Sequence, residues 1–145
     1  MGKKSGCLST IGRLICFTAK QMQSKLHITM PEIAIKRVYE EPSPYDGYRV
    51  LVDRLWPRGI SKEAAQIDEW NKDLAPSTEL RKWFGHDPAR WDEFSAKYMQ
   101  ELKANGFGNE FLQRLGKEEK ITLVYAAKDP KHCHPLVLHE YLISL

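Results

Sequence analysis

The chain has 145 residues, 42% of them hydrophobic and 28% charged. That is the make-up of a globular protein with one buried core, and no apolar run approaches the roughly 18 residues of a membrane span. The net charge of +3 is uneven: residues 1–29 hold five basic residues and no acid, which leaves 17 basic against 19 acidic residues in the rest. A body at −2 is not a nucleic-acid binder by bulk charge.

Cysteines stand at 7, 16 and 133. An odd count without regular spacing argues against a disulfide framework and for reduced thiols in the cytoplasm. Residues 1–29 read as a basic extension: a tag, an alternative start or a leader, peripheral to a single domain over 30–145. The short apolar stretch at 14–17 is too brief for a signal peptide, and Gly6 stands where a myristoylation site needs Ser or Thr. Leu8, Ile11, Leu14 and Ile15 approach helical spacing.

Ile33–Tyr39 is the first predicted strand. Two prolines and Asp46-Gly47 then make a turn-rich loop. Tyr48–Arg54 is a second strand, apolar along its length and charged at its end. Ser61 can cap a short helix over 62–66. Residues 67–70 fit either a short strand or an extended link. Ser77 caps a helix over Thr78–Phe84, and Gly85-His86 stops it. Asp87-Pro88 opens a helix over 88–104, with Trp91, Phe94, Tyr98 and Leu102 on one core-facing stripe. Asn105-Gly106 ends it. Asn109 is the expected cap of a helix over 110–115. Ile121–Ala126 is the last strand, and a final helix runs over 134–144.

The two apolar strands bury each other best side by side, and the helical crossover between them favours parallel pairing. The expected fold is α/β: a small, open, mostly parallel sheet of three or four strands with helices on both faces. In such sheets ligands bind beyond the carboxyl ends of the strands.

Val52-Asp53-Arg54-Leu55-Trp56-Pro57-Arg58-Gly59, Trp70 with Leu74-Ala75-Pro76-Ser77, Leu80–His86, and Tyr125-Ala126-Ala127-Lys128-Asp129 with His132 together resemble the YeaO-like proteins. These form a bacterial and archaeal domain-of-unknown-function family. The resemblance covers about residues 33–145 and implies a compact α/β domain. It supplies no catalytic residues.

The candidate site therefore rests on the residues themselves. Arg54, Arg58 and Lys128 can clamp an anion, guanidinium forks being suited to phosphate and carboxylate. The plainer reading ties Arg54 to Asp53 or another carboxylate. Trp56 can line a pocket, but beside a proline it serves more often as a packing anchor. Asp53, Asp129 and His132 are the candidates for proton transfer. Against this, Asp129 before Pro130 suits a turn. The Cys133 thiol at a helix start can be activated, yet the bland reading is a polar helix start. His132, Cys133 and His134 diverge too far in either secondary structure to share a metal. His86 either faces the crevice or caps a helix end. No Gly-rich phosphate loop, serine elbow or dinucleotide fingerprint is present, so no cofactor or metal is expected.

The expected function is binding of an anionic small molecule, phosphorylated or carboxylated and in one reading a nucleotide, at the ends of strands 48–54 and 121–127. Whether a reaction follows is left open by these residues. Two alternatives stand beside it: a nucleic-acid accessory, disfavoured by the charge, and an interaction module without pocket chemistry. No membrane partner is expected, and a domain this size is compatible with a homodimer.

Overall fold

Two buried runs, 50–52 and 121–125, apolar except for Thr122, set the architecture. The structure is a computed structural model that describes residues 30–145. The extension 1–29, with its expected partial helix, lies outside the described residues. Strands β1 (Glu32–Arg37), β2 (Tyr48–Leu51), β3 (Glu69–Trp70) and β4 (Lys120–Tyr125) form one sheet in the order β1-β4-β2-β3. Every pairing is parallel, with Ile33 opposite Ile121 and Val50 opposite Leu123. The neighbours expected from burial, β2 and β4, are hydrogen-bonded at the centre.

The second strand is shorter than its apolar run suggested. Val52 still donates to Val124 O at 3.0 Å. Beyond it the chains part, and the Asp53 side chain takes over the pairing. The stretch at 67–70 contributes only the two-residue edge strand β3.

The described residues form five helices, most of them where the local signals place them. Ser61 caps α1 (Lys62–Ala65). Ser77 caps α2 (Thr78–Phe84), and Gly85 ends it in the left-handed region. Asp87 caps a single 3-10 turn over Pro88–Arg90, which leads into α3 (Trp91–Asn105). The helix expected over 88–104 is thus two segments. Helix α4 (Phe107–Leu115) starts earlier than expected. Asn105 Oδ1 accepts from the Phe107 amide, so Asn105 and not Asn109 makes the capping bond. Helix α5 (His134–Ile143) carries Pro135 in its first turn.

Alternation along the strands divides the core. Val50, Val52, Ile121 and Leu123 face helices α2 to α5, where Phe84, Phe94, Tyr98, Phe111 and Leu138 fill the space. Each such side chain contributes roughly 1.5–3 kcal/mol by leaving water. Leu51 and Val124 face the other way, under Ala65 of α1 and the rings of Trp56 and Trp70. Among the described residues helical cover is therefore unequal: a four-helix layer on one face, one short helix and loops on the other.

The thinner face carries a buried polar clasp. Arg49 donates to Asp46 Oδ2 at 2.6 Å and to the carbonyls of Ala65 and Gln66. Lys36 reaches the same carboxylate at 3.1 Å, and Thr122 Oγ1 donates to Asp46 O. Ser43 and these cations hold the Asp46 carboxyl below its usual range, although burial alone would raise it. The clasp depends on Gly47, whose φ is +67°. A Cβ there would lie 2.3 Å from Lys120 O.

Gly47→Ala is therefore expected to cost about 3 kcal/mol through combined strain and backbone collision. Urea denaturation would measure it. A variant within about 0.5 kcal/mol of wild type would mean that the loop is not fixed by the β4 backbone.

Candidate functional site

Where β2 and β4 part, a crevice of about 650 Å³ opens, lined by 53–58, 126–129 and 132–134 and by Arg81, Phe84 and His86. This size suits a drug-sized ligand. Strand ends create it because the last paired residues leave backbone groups that side chains must satisfy. Asp53 Oδ2 accepts from the Ala126 amide at 2.9 Å. His134, entering α5, bonds Val52 O through Nε2 at 2.9 Å. Trp70 Nε1 donates to Asp53 O, and Arg37 donates to the carbonyls of Ala126 and Ala127.

All seven residues singled out from the sequence border this crevice: Asp53, Arg54, Trp56, Arg58, Lys128, Asp129 and His132. Their settings differ. Arg54 is half-buried and donates from Nε to Pro76 O at 3.1 Å. It is anchored by carbonyls, not by Asp53. Arg58 and Lys128 are exposed. Trp56 donates to Ile60 O at 2.8 Å and meets Trp70 edge-on, so it packs the loop while one part borders the crevice. Asp129 forms its turn with the Lys131 amide and also pairs with His132 Nδ1 at 2.6 Å. That histidine's bond is the main cause holding the Asp129 carboxyl below its usual range.

The triplet 132–134 diverges as expected from its spacing. His132 stays with Asp129 and the edge of Trp91. Cys133 turns inward, only 2% exposed. Burial pushes its thiol pKa up, against any reactive role. His134 faces Val52 and Asp53.

Three further residues complete the site. Arg81, on α2, looks like any surface cation of an amphipathic helix, and its short distance in sequence from Gly85 was the only signal. His134 was hidden by its neighbours 132 and 133. His86 borders the crevice with φ at +59°, a backbone conformation costly for a non-glycine residue and often found at functional sites. Among the described residues, no ion pair uses Arg54, Arg58, Arg81 or Lys128.

Asp53 and His134 are perturbed in opposite senses. Burial raises the Asp53 carboxyl to about 6, partly opposed by the Ala126 amide and by Arg81 and His86. Burial lowers His134 to about 4. A carbonyl only accepts, so the single proton of neutral His134 sits on Nε2 and goes to Val52 O. Asp53 Oδ1, 3.4 Å from that nitrogen, is left without this donor. Cations thus surround an apolar cleft that holds one open carboxyl oxygen.

A parallel α/β domain with an electropositive crevice at its strand ends is the class that fold and site define. The chain belongs to the family described as the inactive DUF488-N3 subclade, which it matches over residues 32–145. It is 44% identical to the uncharacterised protein YeaO of Escherichia coli strain K12 over 113 residues, 78% of this chain and 98% of that protein. It is 43% identical over 110 residues to the uncharacterised proteins Mb3100c of Mycobacterium bovis and Rv3073c of Mycobacterium tuberculosis. Those alignments cover 76% of this chain and 92% of each relative. No solved structure matches the chain.

The opposed shifts of Asp53 and His134 are readable in stability. Folded Asp53 keeps its proton up to about 6, against 3.8 for the ordinary carboxyl, so this residue makes stability fall as pH rises between those values. His134 refuses a proton down to about 4, whereas the unfolded imidazole takes one near 6.5, so it makes stability rise over that window. Each effect is on the order of 3 kcal/mol, and in the native protein they offset. Relative to wild type, Asp53→Asn is expected to gain a stability curve that climbs from pH 4 to 6.5, and His134→Gln one that falls. Urea denaturation at half-unit pH steps checks this, and three parallel curves would contradict it.

Proposed function

We propose that this protein binds an anionic small molecule, phosphorylated or carboxylated, in the crevice beyond β2 and β4. The observation that carries the reading is the set of four cations, Arg54, Arg58, Arg81 and Lys128, around one cavity and without a carboxylate partner among the described residues. Unpaired cations beside low-dielectric walls concentrate anions. An interaction module without pocket chemistry would leave such arginines saturated and no cleft between the strands, so the cleft favours binding. The body charge of −2 weighs against extended nucleic-acid contact.

Binding without turnover fits the family's description as inactive. The residues read from the sequence as candidates for proton transfer, Asp53, Asp129 and His132, all border this cavity. Among the described residues no helix is long and apolar enough to cross a membrane. Among the described residues Cys133 is a free, buried thiol, in keeping with the cytoplasmic setting we propose.

A thermal-shift screen of the full chain tests the proposal. The probes are inorganic phosphate, sugar phosphates, nucleotides and di- and tricarboxylates. A ligand specific for the folded state raises the melting temperature. Arg58→Ala and Lys128→Ala remove exposed side chains with no ion-pair partner among the described residues, so neither is expected to shift the ligand-free protein. Each should weaken the responding anion roughly three- to tenfold and flatten its salt dependence. No response to any probe would reject anion binding here.

A further inference from the structure

The crevice is graded in polarity. Its deeper wall is apolar and buried: Pro57, Ala75, Pro76, Phe84 and Phe94. Arg58, Arg81, Lys128 and His86 are exposed and so stand at its mouth. Tyr39 and Leu55 also border the cavity, 46% and 60% exposed, and add apolar surface at the opening. Within the apolar part, Asp53 supplies an acceptor that the protein leaves open. Its Oδ2 is committed to the Ala126 amide, and the His134 proton beside its Oδ1 goes to Val52 O.

These features select among anions. Inorganic phosphate would meet the cations and leave the apolar wall wet. A sugar phosphate would bring several hydroxyls against a wall with few partners for them, which costs desolvation. A fatty acid would cover the wall but bury the Asp53 oxygen unpaired. A flat heterocycle satisfies both demands, with its faces on the apolar wall and an edge N–H on Asp53. Three exposed cations exceed what one carboxylate needs, and they match a dianionic phosphate.

Building on the anion-binding reading above, we infer that the crevice takes a nucleoside monophosphate or a closely similar heterocyclic phosphate ester. The ring lies against Pro76 and Phe84, a ring N–H donates to Asp53 Oδ1, and the phosphate sits at the mouth on Arg58, Arg81 and Lys128. Guanine, whose ring N–H adjoins its amino group, suits this acceptor best: adenine and cytosine offer an amino N–H beside a ring acceptor, and uracil a ring N–H between two carbonyls.

Isothermal titration calorimetry on the full chain at pH 7.5 tests the assignment. The probes are the four ribonucleoside monophosphates, guanosine and uridine, ribose 5-phosphate, phenyl phosphate and inorganic phosphate. A ring N–H nucleotide is expected to bind at least about tenfold tighter than ribose 5-phosphate, than its own nucleoside and than phenyl phosphate. Asp53→Asn keeps an oxygen for Ala126 and presents an amide donor to the ligand. It should erase or reverse the preference between bases, while a combined Arg58→Ala, Lys128→Ala variant should weaken nucleotides and leave nucleosides unchanged. Equal binding of ribose 5-phosphate and nucleotides overturns this inference and leaves anion binding intact. Equal binding of phenyl phosphate overturns the role of Asp53. If nucleosides match nucleotides, the phosphate placement is wrong. If no anion binds, the proposed function fails, and this inference with it.

Discussion

The site depends on one hydrogen bond, from the Ala126 amide to the Asp53 carboxylate. Parallel strands that part must do something with the backbone groups they stop sharing, because a buried amide without a partner costs about as much as a lost hydrogen bond. Here the pairing of β2 with β4 ends at Val52. The next position places a carboxylate where the ladder's carbonyl would have been. That substitution lets the two chains diverge without an orphaned donor, and their divergence is the crevice. The same logic recurs along both loops. Arg37, Arg54, Trp56, Trp70, Tyr98 and His134 each end on a backbone carbonyl near the strand ends. The loops around the cavity are held by side chains in place of secondary structure.

That bracing explains why the cations are distributed as they are. Arg37 and Arg54 spend donors on carbonyls and so are partly neutralised by backbone dipoles. Arg58, Arg81 and Lys128 have no such engagement among the described residues and remain exposed. The polar clasp on the thinner face of the sheet works further from the cavity. Asp46, Arg49, Lys36 and Thr122 stitch the loop after β1 to β2 and β4, where among the described residues one four-residue helix covers the sheet. Breaking one partner of such a buried charged group is costlier than never having built it.

Much of this is legible in the sequence, for definite reasons. Apolar runs that end in charge mark buried strands whose ends leave the core, and the side-by-side placement of 48–54 and 121–126 follows from burial. Helix ends are legible wherever a side chain caps them, as at Ser61, Ser77 and Asp87. Local chemistry misleads where one signal has two uses. Asn109 has a cap's chemistry, but Gly106 has already turned the chain and Asn105 is nearer the new helix start. Glu69-Trp70 is too short a strand for any periodicity to show. Arg81 and His134 are hidden because their partners are far apart in sequence: Arg81 matters only through the crevice that α2 borders, and His134 through Val52, 82 positions earlier. The alternative that tied Arg54 to Asp53 or another carboxylate is not seen among the described residues: Arg54 donates to Pro76 O, and Asp53 accepts from the Ala126 amide.

The Asp53–His134 pair bears on what the crevice can do. A carboxyl near 6 beside a histidine resembles acid–base machinery, and perturbed groups of this kind do cluster at catalytic sites. A working pair, however, must pass a proton between its members or to a substrate. Here the imidazole proton is aimed at Val52 O, and with a pKa near 4 the ring does not take a second one at neutral pH. One carboxyl oxygen is likewise bound to Ala126. Each group has a structural task, closing the ends of a strand, and their perturbed pKa values follow from the burial which that task requires. What remains free is a single oxygen that accepts. On the binding reading proposed above, such an atom would recognise a donor on a ligand, and the same bonds that make the pair poor at moving protons leave that acceptor free.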